Sequence, residues 1–132
     1  MTMTDTVSDM ITRIRNGNMI NKNYVLVPYS RFKEEILKVL KEEGFIKYYE
    51  MAEEGKKRSL KVFLRYYSET KKAITEIKKI STPGSRVYVD KNRIPEIKGG
   101  VGIAVLSTSK GVLSSKKAKE QSLGGELLFH VW

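Results

Sequence analysis

The stretch Gly102-Ile103-Ala104-Val105-Leu106-Ser107 sets the strongest limit on how this chain folds, because its four central residues are all apolar. Side chains alternate between the two faces of a strand. A strand built from this run is therefore suited to burial on both faces, and the rest of the chain has to cover each side. The last residues make a similar demand. Leu127, Phe129 and Val131 fall on one face of an extended segment, and Leu128, His130 and Trp132 on the other. So apolar a segment reads as a core strand, not a frayed tail. The 132 residues allow one domain or two small ones. A half-chain of this length buries only a small core, so two halves need to lean on each other.

Upstream, apolar spacing and turn residues give the order α-β-α-β-β. Val7, Met10, Ile11 and Ile14 recur at helical spacing, with Thr4 or Asp5 as N-cap and Gly17 as the stop. Tyr24-Val25-Leu26-Val27, closed by Pro28, reads as a strand. Ser30 caps a second helix with Phe32, Ile36, Leu37, Val39 and Leu40 as its buried face, and Gly44 ends it. Strands near Phe45–Met51 and Ser59–Tyr66 flank the polar turn Glu53-Glu54-Gly55-Lys56-Lys57. Beyond them, Ile74–Ile80 and Arg86–Val89 read as strands, with a turn at Pro83-Gly84. Asn92–Lys98 holds at most a short helical turn. Ser114 or Ser115 begins a basic helix that ends before Gly124-Gly125. The expected class is α/β of the α+β kind, in two small domains. Residues 1–66 form the α-β-α-β-β unit, 67–72 a polar linker, and 73–132 a mostly β unit with one short helix.

Charge narrows the function. Twenty-five Lys and Arg face fifteen Asp and Glu, a formal net charge of +10. Such an excess repels itself, and a polyanionic partner relieves the repulsion. Nucleic acid is the first candidate and an acidic membrane surface the second, and the plain alternative is a merely soluble basic protein. With no cysteine, disulfides, thiolate catalysis and cysteine-ligated zinc are excluded. No basic start followed by an apolar run stands at the N-terminus, so a secretory signal is not expected. No apolar stretch approaches the ~20 residues of a membrane span.

Ser107-Thr108-Ser109-Lys110-Gly111 is the most informative stretch. Its hydroxyls can meet phosphate oxygens, ribose 2′-hydroxyls and base edges. Lys110 offers a phosphate counter-charge, and Gly111 lets a ligand backbone come close. The plain alternative is a polar turn between two strands. Gly124-Gly125-Glu126 forms a second glycine element, either a ligand-facing turn or a helix stop. Lys116, Lys117 and Lys119 join Lys110 in a basic surface, or make one solvated helix face. Tyr88, beside Arg86 and ahead of Lys91 and Arg93, is placed to stack on an unpaired base or simply to pack.

Catalytic readings find little support. His130 is the only histidine and lies in the closing strand. The serines of the 107–109 turn have no Asp–His pair to activate them, which leaves only a Ser–Lys pair within the turn. The aspartates Asp5, Asp9 and Asp90 form no carboxylate cluster for a metal. Gly99-Gly100-Val101-Gly102 precedes a strand, whereas a dinucleotide fingerprint follows one.

Taken together, these residues resemble a known family. Gly102 to Gly111 and Leu123-Gly124-Gly125-Glu126 are similar to the signature of protein eight of the small ribosomal subunit. Asp9 to Gly17 resembles that family's opening helix, and Leu40 to Ile46 and Ser81 to Tyr88 resemble its internal motifs. The similarity spans essentially the whole chain, in order. It implies a non-enzymatic, cytoplasmic constituent of the ribosome with no cofactor and no metal. The implied partners are the central domain of small-subunit ribosomal RNA, neighbouring small-subunit proteins and, as in some bacterial members, the protein's own messenger RNA. The RNA contacts so implied are Ser107, Thr108, Ser109, Lys110, Gly124, Gly125 and Glu126, with Tyr88 and Arg86 beside them. A second set lies at Thr4, Asp5, Ser30, Arg31 and Lys33. One stretch departs from the pattern. Leu113 to Lys119 carries lysines where the family often has an acidic, arginine-rich start, and lysine lacks arginine's bidentate fork.

Overall fold

The computed structural model describes residues 3–132, with side chains from Thr6 onward. Helix α1 (Met3–Met19) is followed by β1 (Tyr24–Pro28), α2 (Arg31–Glu42), β2 (Ile46–Glu54) and β3 (Lys57–Leu64). This is the α-β-α-β-β order read from the sequence. Strands β1, β3 and β2 form an antiparallel sheet in that spatial order. Ser30 caps α2 as expected, its Oγ accepting from the Lys33 N–H at 3.1 Å. Glu54 pairs with Lys57, so the hairpin turn narrows to Gly55-Lys56, with Gly55 at φ +63°.

Helix α1 departs from expectation at both ends. Its span already includes Thr4 and Asp5, so neither precedes the first turn. Nor does Gly17 stop it. A Cβ at Gly17 would lie 2.3 Å from Val25 Cγ1, so this glycine lets β1 pack directly against the helix.

The second half contains β4 (Ile77–Lys79), β5 (Tyr88–Val89), β6 (Ile103–Thr108), β7 (Gly111–Ser114), helix α3 (Ser115–Glu120) and β8 (Gly125–Val131). Its spatial order is β4-β8-β6-β7, and β5 also pairs with β8. Strands β4 and β5 are shorter than the runs Ile74–Ile80 and Arg86–Val89 suggest. Ser114 caps α3, accepting from the Lys117 N–H at 3.2 Å.

Strand β6 is covered on both faces. Ile103 and Val105 join the larger core with residues of the first half, while Ala104 and Leu106 join a smaller one with Ile94, Ile97 and Ala118. The closing strand breaks its expected alternation. Val105 lies opposite Phe129 but Leu106 lies opposite Leu127, so Leu128 is an extra residue in β8. A bulge of this kind reverses facing beyond it. Leu127 accordingly packs in the smaller core, while Phe129 and Val131 pack in the larger. The Leu128 carbonyl accepts from the N–H groups of Ile80 and Ser81, at 3.1 and 3.3 Å.

The larger core runs through both halves, from Val7, Met10 and Leu37 to Phe129 and Val131. Polar bonds cross the same boundary. The Arg15 guanidinium donates to the Ile77 carbonyl, and the Asn18 amide donates to the Ile74 carbonyl at 3.0 Å. Phe129→Ala should cost about 3–5 kcal/mol. Trp132 fluorescence and far-ultraviolet dichroism should report one coincident urea transition, because the lost side chain supports both halves.

His130 lies on β8 opposite Lys78. Burial, and then the Lys78 charge, hold its pKa below the usual 6.5. The unfolded chain therefore binds a proton that the folded chain resists. Stability should be complete above about pH 6.5 and decline as pH falls below it. Urea midpoints measured from neutral pH to about pH 5.5 should show this slope, and His130→Gln should flatten it.

Candidate nucleic-acid interface

The sheet brings the candidate residues of the second half onto one rung. Tyr88 pairs with Glu126, Glu126 with Ser107, and Ser107 with Val112. Tyr88 is 65% exposed, so its ring is free to stack and does not serve as core packing. Its approach is set by Ser81, a buried residue whose Oγ accepts from the Val87 N–H at 3.0 Å.

Two glycines allow the strands this close. A Cβ at Gly125 would lie 2.2 Å from the Ser107 carbonyl oxygen, and one at Gly124 would lie 2.3 Å from that of Val89. Both obstacles are backbone, which cannot rotate away. The glycines thus act as close-approach points, more than as a helix stop.

Ser107-Thr108-Ser109-Lys110-Gly111 is a hairpin: Thr108 faces Gly111, and Ser109-Lys110 is its two-residue turn. The polar turn between strands is therefore real. Its side chains divide in role. The Thr108 hydroxyl donates to the Gly111 carbonyl at 2.7 Å and accepts from the Lys110 N–H at 3.1 Å. Most of its capacity is spent inside the turn. Ser109 and Lys110 are exposed, Ser107 is half-buried, and neither serine hydroxyl has a hydrogen-bond partner among the described residues. Glu126 Oε2 is buried without a donor. An unpaired buried carboxylate oxygen is costly, and a donor from a bound molecule would remove that cost.

The basic surface is partly committed. Lys117 Nζ lies 3.0 Å from Glu42 Oε2, bridging α3 to the end of α2. That contact holds the Lys117 pKa above its usual value. Lys116, Lys119 and Arg86 are exposed.

Within the other expected set, Ser30, Arg31 and Lys33 differ in how available they are. Ser30 spends its hydroxyl on the helix cap, and Arg31 is exposed. Lys33 is only 4% exposed. Burial lowers its pKa, with Asp9 opposing and Arg13 adding to the shift. The chain alone does not present Lys33 as an open phosphate contact, because α2 turns it inward. The side chains of Thr4 and Asp5 lie outside the described residues.

A family model for ribosomal protein S8 matches residues 5–132. This chain belongs to the ribosomal protein S8 family. It is 52% identical to small ribosomal subunit protein uS8 of Syntrophomonas wolfei, over the full length of both chains. Full-length identities to the uS8 proteins of Halothermothrix orenii and Clostridioides difficile are 48% and 47%. Members of the ribosomal protein S8 family are structural components of the ribosome and not enzymes. No helix among the described residues is long and apolar enough to cross a membrane.

Sequence reading of this S8 member missed two things. One is the positioning role of Ser81, which lies far from the hairpin in sequence. The other is the buried free oxygen of Glu126, which exists only once three strands are in register. Gly125→Ala should cost about 1–3 kcal/mol by overpacking β6 against β8. A lowered urea midpoint, with faster amide exchange around Ser107, is the expected readout.

Proposed function

We propose that this chain is a primary ribosomal-RNA-binding protein of the small subunit. In this reading it binds the central domain of that RNA, helps its assembly beside neighbouring small-subunit proteins, and resides on cytoplasmic ribosomes. The supporting observation is the single rung that sets an exposed tyrosine, a carboxylate lacking a donor and a serine hydroxyl lacking a partner beside a lysine-tipped hairpin. Folded RNA offers matching groups: amino and 2′-hydroxyl donors, phosphate oxygens and the faces of unstacked bases. Such contacts recognise an irregular RNA surface, while the lysines supply sequence-independent affinity. Residues 73–132 carry this contact as the C-terminal unit, joined through 67–72 to the N-terminal unit 1–66. The same surface would serve in repressing the protein's own messenger RNA, where that message mimics the ribosomal site.

Ser107→Ala and Ser109→Ala should each weaken binding to central-domain RNA by about 0.5–1.5 kcal/mol, with unfolding unchanged. Thr108→Ala should lower both affinity and hairpin protection, because its hydroxyl closes the turn. Lys110→Ala should flatten the dependence of affinity on salt by roughly one unit of slope or less. Titrations across salt, with an unrelated RNA of equal length as reference, check all four. Affinity that none of these substitutions alters would sink the proposal.

A further inference from the structure

The first sheet buries one face, through Val25, Val27, Leu60, Val62 and Leu64, and leaves the other open. On the open face Tyr24 pairs with Phe63, and Phe63 with Tyr48. The Tyr48 and Phe63 rings are stacked, with centroids 4.2 Å apart and planes 16° from parallel. Tyr24 lies 5.7 Å from Phe63 at 48°. Tyr24 is 42% exposed and Tyr48 37%, and each stands on an edge strand. Lys61 Nζ sits 4.2 Å from the Tyr24 centroid and 5.3 Å from that of Phe63.

The sequence neighbours of the three rings are mostly basic: Lys22, Lys47, Lys61 and Arg65 stand within two residues of them, and the one acid, Glu50, lies across the strand pair from Lys61. Beside Tyr24, between α1 and β1, runs a groove of about 670 Å³ whose polar lining includes Arg13, Asn16, Lys22 and Asn23. A protein-binding patch is typically depleted of lysine at its centre. Aromatic faces interleaved with cations instead suit unpaired bases and the phosphates between them. The two amides can read base edges in the groove.

We propose that this open face is a further RNA site, separate from both expected contact sets, which stacks unpaired bases on Tyr24 and Tyr48 and holds phosphates with Lys22, Lys47 and Lys61. The inference extends the RNA reading above, but it stands on a different sheet, so the two can fail separately. The test uses the intact chain and a single-stranded oligouridine of about eight nucleotides, within the usual range of such sites. Iodouridine crosslinking followed by mass spectrometry should locate adducts on Tyr24, Tyr48 or Phe63. Replacing both tyrosines (Tyr24→Leu with Tyr48→Leu) should weaken oligouridine binding roughly tenfold. Lys110→Ala should leave that binding nearly unchanged, while still altering the salt dependence on central-domain RNA. Adducts confined to residues 107–111, unchanged affinity in the leucine variant, or equal competition by duplex RNA would each overturn the proposal. So would a protein partner docking on this face with no oligouridine bound there. If the leucine variant melts early, the crosslinks on the unaltered chain decide.

Discussion

Strand β8 is hydrogen-bonded along both edges, and the candidate interface depends on that position. On one edge it holds β4 and β5, on the other β6. Its first residues, Gly125 and Glu126, lie between Tyr88 and Ser107. Its later ones, Phe129 and Val131, reach the core shared with the first half. Rigidity at the interface thus comes from apolar burial a few residues away. The bulge at Leu128 reconciles the two ends, because it turns Leu127 into the smaller core without moving Phe129 out of the larger.

The halves are joined more by burial than by charge. Lys117–Glu42 is half-exposed on both sides, and such pairs contribute little. The bonds from Arg15 and Asn18 to main-chain carbonyls do something different. They satisfy backbone groups at Ile74, ahead of β4, and at Ile77, its first residue, and fix how that strand meets α1. Apolar contact alone would tolerate small slips there.

Much of the fold was legible in the sequence because its signals are local. The α-β-α-β-β order follows from apolar spacing, the Ser30 cap and Gly44, and the doubly covered strand follows from Ile103 to Leu106. What escaped depends on contacts between distant residues. The strand expected over Ile74–Ile80 shrank to Ile77–Lys79 because its length is set by what β8 offers it. Lys33 was expected as an RNA contact from the family resemblance alone, and packing of α2 buries it. Thr108 was rightly placed in a polar turn, but its hydroxyl closes that turn. The Tyr24–Phe63–Tyr48 ladder was invisible, since register alone assembles rings scattered through three strands.

Placing the eighth strand in the middle of its sheet has a consequence for biosynthesis. Translation delivers residues in order, and folding units tend to form as they emerge. Strands β1 to β3 can pair while the rest is still being made. Strands β4, β5 and β6 must wait with open edges, because their common neighbour follows all three in the chain. During that interval the nascent chain is exposed to non-native pairing, and the rung of Tyr88, Glu126 and Ser107 comes into being only when it ends.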